Sequence, residues 1–524
     1  MTAAATARHW LPLAEAAAAA ALGAVFSLPF VHTEAWWLQF LCVGLLAWRA
    51  AGLTPARAAL LGLAFGSGWL GAGTWWLYIS LHRYGGLAAP LAVVAVTALA
   101  LALSVYLAAA LALFARLRRG VAWSDALLFA AFWLAAELAR GVLFTGFPWV
   151  ATGYGQIDGP LAALAPWIGV YAIGFVVTAC AALPALALRS GARSAALPAL
   201  TAVALVAAAP LAAHDFSAPA GRLDVTLLQT NIAQDEKFAP ERLPEALAWL
   251  EAALRGARGP LVIAPETAIP LLPEQLGAAA WGRLTEPFRG NNKAALIGLP
   301  LGSFEAGYTN SVAGLSAATA ALPGGFYRYD KQHLVPFGEL IPPGFRWFID
   351  MMNIPLGDFT RGPKVPPSFA FAGQRIAPNI CYEDLFGEEL ALRFADEAQA
   401  PTVFANISNI GWFGDTIAIT QHLHISRMRT LELQRPMLRA TNTGATAVID
   451  HRGIITARLD PFTRGTLDAV VEGRSGLTPF ARWASAFGLA PLLLMCVAVA
   501  AVAGSSPTSG VTAAEAGAAR VSAA

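Results

Sequence analysis

Seven stretches in the first 215 residues, at about 10–30, 35–48, 58–79, 87–114, 122–143, 161–188 and 195–213, are apolar and nearly free of charge. Runs of about 18 to 25 such residues are long enough to cross the hydrocarbon core of a bilayer, where a helix satisfies its own backbone. An eighth run, 483–503, stands alone near the C-terminus. The run at 35–48 is short, and the first, preceded by Arg8, resembles a signal peptide but is expected to stay attached because six further spans follow it. With 57% hydrophobic and 13% charged residues over 524 positions, the chain is expected to be an integral membrane protein. A net charge of +2 gives no support for a nucleic-acid partner.

Charge is divided unevenly. Residues 1–215 hold ten arginines, no lysine and six acidic residues; nearly all other charge lies in the polar part. Arg8, then Arg49 and Arg57, then Arg116, Arg118 and Arg119, then Arg189 and Arg193 fall at alternate connections, whereas the opposite ones carry only Arg83, or Arg140 near a helix end. Basic loops stay in the cytoplasm, so seven spans deliver the segment after His214 to the far side, the periplasm in a bacterium. The predicted organisation is a seven-span bundle over 1–218, an outward α/β domain over 219–474, an eighth span over 475–503 and a disordered cytoplasmic tail over 504–524. Trp36, Trp37, Trp75, Trp76 and Tyr78 read as interfacial anchors. Glu137 and Arg140, three apart inside the fifth span, can pair, as a structural ion pair or for function. The aromatic, turn-rich connection from Thr145 through Trp149 to Gln156 is placed to touch lipid headgroups or the outward domain.

Within 219–474, apolar or β-branched runs at 223–229, 261–264, 294–299, 375–380, 402–405 and 445–449 predict buried strands. Helical spacing at 243–254, 388–395 and 420–433 alternates with them, as in layered α/β folds. There is no Gly-rich phosphate loop and no zinc-type spacing. His422 and His424, two apart, point to different faces of a helix and read as core or solvent histidines.

Three polar residues each lie just beyond a short strand-like run: Glu266, Lys331 and Cys381. Strand ends are where α/β sheets build their sites. Of the four cysteines, only Cys381 lies outside an apolar run, and only four lysines stand against 31 arginines. A carboxylate beside a thiol can act as general base for attack on a carbonyl, and a lysine can hold the oxyanion. Singly, each residue has a plain reading: a lone cysteine is ordinarily a core residue and a glutamate or lysine a solvated one. Order and context together favour the catalytic reading.

In the contexts Pro265-Glu266-Thr267, Tyr329-Asp330-Lys331 and Asn379-Ile380-Cys381-Tyr382-Glu383, these residues resemble the catalytic triad of the nitrilase, or carbon-nitrogen hydrolase, superfamily. Flanked by seven spans and one, the domain is similar to the membrane branch of that superfamily, the apolipoprotein N-acyltransferases. Thr145-Gly146-Phe147-Pro148-Trp149, His333 to Glu339 ending in Pro-Phe-Gly-Glu, Gly411-Trp412-Phe413-Gly414-Asp415, Arg427-Met428-Arg429 and Ala440-Thr441-Asn442 extend the resemblance. It implies an αββα sandwich and no cofactor or metal. It also implies transfer of an acyl chain from a membrane phospholipid, commonly phosphatidylethanolamine, through a Cys381 thioester to the α-amino group of a diacylglyceryl-apolipoprotein. The location implied is the bacterial inner membrane, and nothing demands more than a monomer. Glu339 is then expected to support Lys331 or the acceptor amine, and Tyr382 and Glu383 to shape and charge the pocket. Trp149, Trp412 and Phe238 are further candidates for substrate contact. Ile410, where aspartate is common, and Phe238, where tryptophan is common, depart from the pattern and bear on acceptor preference. Two alternatives stay open: a membrane-tethered amidase that uses water, and a receptor or transporter whose outward domain only binds.

Overall fold

The computed structural model describes residues 11–290, 292–303, 305–342, 344–349 and 359–505. Arg8 and the greater part of the predicted tail lie outside them. Among the described residues, seven helices of 13 residues or more precede the α/β domain: Leu13–Phe26, Leu38–Ala50, Pro55–Thr74, Ala89–Leu117, Ala122–Val142, Ala165–Leu188 and Ala192–Ala208. They coincide with the seven apolar runs. Five of them, with short continuations, are long and apolar enough to cross a membrane, and Leu38–Ala50 is shorter, at 13 residues. The protein is thus a membrane protein.

With lipid as apolar as the helices themselves, close packing rather than hydrophobic transfer holds such a bundle together. A Cβ at Gly23 would lie 1.9 Å from the Phe65 carbonyl oxygen, and one at Gly68 would lie 1.8 Å from that of Ala20. Bare glycine surfaces therefore let the first and third helices touch backbone to backbone. Arg189 Nη1 donates to the Trp48 carbonyl at 3.0 Å, so two of the basic connections share one end of the bundle. From Val170, whose amide meets Glu432 of the α/β domain at 2.6 Å, the helix ending at Leu188 runs roughly 27 Å toward those arginines. The basic end is remote from the α/β domain.

Two six-stranded sheets make up that domain. The first has the order β12-β1-β2-β3-β4-β5, from β1 (Ala218–Gln229), β2 (Leu261–Ile263), β3 (Ala294–Ser303), β4 (Gly307–Leu315), β5 (Tyr327–Asp330) and β12 (Gly465–Ser475). The second has the order β11-β10-β9-β8-β7-β6, from β6 (Phe369–Phe371), β7 (Gln374–Ile380), β8 (Val403–Ser408), β9 (Met437–Thr441), β10 (Ala447–Ile449) and β11 (Ile455–Arg458). Their inner faces share a dry core in which Val225, Ile263 and Leu296 meet Ile380, Val403 and Leu438. The helix Leu243–Gly256 covers the outer face of the first sheet through Leu250 and Leu254. Outside the second sheet lies the helix Ala418–Leu433, buried along almost its whole length because it is wedged between that sheet and the membrane helix Ala165–Leu188. This is the αββα sandwich expected from the resemblance.

The eighth span differs from its predicted form. The apolar stretch is not one helix over 483–503: Pro479–Phe487 and the helix from Ala490 meet at 88°, with Gly488 at φ 55° forming the corner. Thr478 caps the first of these by accepting from the Ala481 amide at 3.0 Å. That short helix buries Phe480, Ala481 and Ala484 and exposes Phe487, and Trp483 donates to the Trp167 carbonyl at 3.0 Å. An amphipathic helix therefore precedes the apolar helix Ala490–Ser505.

Candidate active site

Glu266 stands three residues beyond the end of β2, in a turn that crosses the neighbouring strand β3 closely. A Cβ at Gly298 would lie 2.4 Å from the Pro265 carbonyl oxygen and 2.7 Å from Glu266 Cα, so only glycine on β3 lets this turn seat. The carboxylate is held at both oxygens. Asn310 Nδ2 donates to Oε1 at 2.7 Å, and the Asn409 amide donates to Oε2 at 2.8 Å.

Lys331 is the first residue after β5, its amide bonded to the Asn310 carbonyl at 2.8 Å. Its ammonium is fully buried, a costly arrangement without anions nearby. Two are present: Glu339 Oε2 at 2.8 Å and Glu266 Oε1 at 3.6 Å. Burial alone would lower the lysine, but the Glu339 and Glu266 charges outweigh it and hold Lys331 above its ordinary range. Asn310 Nδ2 also donates to Glu339 Oε1 at 2.6 Å, so one amide ties both carboxylates together.

Cys381 directly follows β7 with φ at 50°, a left-handed conformation that is rare and costs on the order of 1 kcal/mol outside glycine. The turn that follows, Cys381–Leu385, is held from several sides. Asn406 Nδ2 donates to the Cys381 carbonyl at 3.2 Å. His422 Nδ1 faces Arg439 Nη2 at 3.3 Å; a guanidinium can only donate, so Nδ1 accepts and Nε2–H is offered to Asp384 Oδ1 at 2.9 Å and to the Cys381 carbonyl at 3.3 Å. Burial pushes the Cys381 thiol up to about 12; the Glu266 charge adds to the shift, and Lys331 and the Ser408 hydroxyl oppose it. At neutral pH the resting nucleophile is a thiol, and a base must take its proton during attack.

Glu266, Lys331, Glu339 and Cys381 thus come together from two sheets. Glu383 and Tyr382 bond elsewhere. Glu383 accepts from the Tyr329 hydroxyl at 2.5 Å and from the amides of Ile380 and Gln332 at 2.6 and 2.7 Å, pinning the Lys331 loop to the Cys381 turn. Burial raises this carboxyl, and the hydrogen bonds from Tyr329 and Ile380 oppose the shift. The Tyr382 hydroxyl reaches into the membrane bundle and donates to the Gly146 carbonyl at 2.8 Å. His333 Nε2 meets the Thr145 carbonyl of the same connection at 2.8 Å. Arg140 fixes that connection by donating to the carbonyls of Phe147 and Trp149 at 2.8 and 2.6 Å, while Glu137 accepts from the Thr152 amide at 2.7 Å. The buried pair is a brace for the loop on which Tyr382 and His333 dock.

Trp149 is buried at the seam, donating to Gln421 Oε1 at 2.8 Å, and Trp76 donates to the same oxygen at 3.1 Å. Trp412 is half-buried, edge-on to Tyr84 at 5.9 Å, and Phe238 is half-buried beside Lys237. Ile410 is buried against Gly444, where an added Cβ would lie 2.3 Å from its Cγ2. His422 and His424 are core residues, the latter facing the Phe30 carbonyl at 3.2 Å. Asn310, Asn409 and His422 escape sequence reasoning as site residues. Asparagine is depleted in strands, so Asn310 inside β4 marks a polar task, but only once β4 is known.

Residues 22–183 match the apolipoprotein N-acyltransferase N-terminal domain, and residues 224–478 match the carbon-nitrogen hydrolase family. An apolipoprotein N-acyltransferase of Verminephrobacter eiseniae is 52% identical over 92% of this chain and 93% of its own length. One from Ralstonia nicotianae is 44% identical, with 92% of each chain covered. Among solved structures, a carbon-nitrogen hydrolase from Helicobacter pylori aligns with 48% of this chain and 90% of its own, at 14% identity and a TM-score of 0.36.

Proposed function

The chain belongs to the apolipoprotein N-acyltransferase family, and from that premise we propose that Cys381 carries the acyl chain between two lipid substrates as a thioester. The observation that carries this reading is the convergence of a buried carboxylate pair, one buried ammonium and a strained cysteine at facing strand ends. The donor is a phospholipid, with phosphatidylethanolamine the proposed species. As the sulfur attacks the ester carbonyl carbon, Glu266 takes the thiol proton and Lys331 stabilises the tetrahedral oxyanion. The carbon–oxygen bond breaks, the proton passes to the departing glycerol oxygen, and a lysophospholipid leaves.

In the second half, the α-amine of a diacylglyceryl-cysteine attacks the thioester carbon. Glu266 takes a proton from that nitrogen, the carbon–sulfur bond breaks, and the sulfur recovers the proton as the amide forms. Glu339 anchors Lys331 so that Glu266 stays available as the base. Glu383 positions the Lys331 loop, and Tyr382 docks the nucleophile turn on the membrane bundle. Trp412 and Phe238 line the side from which lipid chains approach, the ring of Trp412 against Tyr84 of the bundle supporting this, and Trp149 braces the seam through Gln421.

The basic connections lie remote from the α/β domain, which supports a cytoplasmic basic end and a catalytic domain in the periplasm, at the inner membrane. Both substrates are lipid-anchored, so such a domain meets them at high effective concentration. One chain supplies base, cation and nucleophile, in keeping with a monomer. The test presents purified protein with phosphatidylethanolamine and a synthetic diacylglyceryl lipopeptide, and reads the lipopeptide N-terminus by mass spectrometry. An added amide-linked acyl chain is expected; free fatty acid with an unmodified lipopeptide would instead identify a hydrolase.

A further inference from the structure

A second lysine enters the site and the triad chemistry does not use it. Lys237, in the loop after β1, is 4% exposed, one of only four lysines in the chain. Its Nζ donates to the backbone carbonyl of Glu266 at 2.9 Å. Among the described residues no carboxylate lies within ion-pair distance of it, in contrast to Lys331 with two. The Glu266 carboxylate does not neutralise it by contact, because its oxygens are committed to Asn310, Lys331 and the Asn409 amide. The loop itself is firmly seated: Asn409 Nδ2 donates to Gln234 Oε1 at 2.8 Å, and Asn442 Oδ1 accepts from the Ile232 amide at 2.9 Å.

A buried ammonium with one neutral acceptor is costly, and the cost is offset when an anion arrives. An ammonium has three donors, and the Glu266 carbonyl uses one of them. The reaction brings one permanent anion to the nucleophile. A phospholipid carries a phosphodiester separated from its acyl ester only by the glycerol, whereas the acceptor's diacylglyceryl group carries none. We propose that Lys237 is the seat for the phosphodiester of the acyl donor, the contact that separates donor from acceptor at a nucleophile both must reach. This assignment rests on the acyl-transfer reading above. Burial lowers the Lys237 ammonium to about 8, with the Glu266 and Cys381 charges opposing the shift. Its positive charge is thus present at neutral pH and lost as pH rises through that value.

The experiment compares two donors with the same acyl chains, phosphatidylethanolamine and the matching diacylglycerol, in mixed micelles, reading acyl-enzyme formation on Cys381. In the unaltered protein the phospholipid-to-diacylglycerol ratio of kcat/KM should exceed one and should fall between pH 7 and pH 9.5. Glu266 and Cys381 face Lys237, and Lys331 and Glu339 lie beyond them; all four act on the ester alike for both donors, so their titration cancels in the ratio. In Lys237→Met the ratio at pH 7 should drop by roughly tenfold or more, the size expected for a charged hydrogen bond, and Lys237→Arg should restore part of it. A ratio unchanged by Lys237→Met, or flat with pH in the unaltered protein, would overturn the assignment, and the second measurement stands even if the variants fail to fold. Absence of any acyl-enzyme from either donor would instead count against the thioester reading itself.

Discussion

Lys331 is paired first with Glu339, whose Oε2 lies 2.8 Å from its Nζ, and only second with Glu266 at 3.6 Å. That order matters chemically. A base locked in a tight ion pair with the oxyanion cation would be a poor proton acceptor; Glu339 takes up the ammonium and leaves Glu266 able to act.

Glu339→Gln should therefore slow acyl-enzyme formation by roughly 10²-fold, the scale of general-base assistance. The amide keeps the shape, but Lys331 loses its nearer anion and turns to Glu266. A burst assay with labelled phospholipid measures this; a burst rate within twofold of the unaltered protein would remove Glu339 from that role.

Glu266→Gln should separate thiol reactivity from catalysis. The Glu266 charge helps push the Cys381 thiol up to about 12, so removing it lowers the thiol and raises the thiolate fraction at pH 8. A downward shift of one unit corresponds to roughly tenfold more thiolate. Iodoacetamide should label Cys381 faster in this variant than in the unaltered protein, while acyl transfer is lost. Slower labelling would contradict the electrostatic account.

Lys331→Arg should be severely impaired although the charge is kept. The ammonium is buried between Glu266 and Glu339, and a planar guanidinium cannot occupy that compact position. Turnover near the normal rate would take Lys331 out of the oxyanion role.

Tyr382→Phe removes the hydroxyl that ties the nucleophile turn to Gly146 and strands a carbonyl in the seam. A loss of about 1 kcal/mol in stability is expected, read as a lowered thermal midpoint, with a modest fall in rate. An unchanged midpoint would show that this bond does not fasten the domain to the bundle.

Much of this was legible in sequence because lipid and buried sheet both demand continuous apolar runs. The seven bundle helices and the strands β2, β3 and β7 announce themselves that way, and Glu266, Lys331 and Cys381 follow from standing at strand ends. The strands β11 and β12 did not, since their exposed positions interrupt the apolar pattern, and neither did β4, where the buried polar run Thr309-Asn310-Ser311 does so. The bend at Gly488 left no trace because an apolar run reads alike whether straight or broken at a glycine. Lys237 and Asn310 stayed hidden for another reason. A lone polar residue acquires meaning only from what the fold places opposite it, and Glu266 faces both.

The most direct test of the account is single-turnover exposure of the purified protein to a labelled-acyl phospholipid, followed by mass spectrometry of the Cys381 peptide. A hydroxylamine-sensitive acyl adduct on Cys381, absent from folded Cys381→Ala, is the predicted result. Protein active in acyl transfer that carries no adduct on Cys381, or transfer persisting in Cys381→Ala, would contradict it.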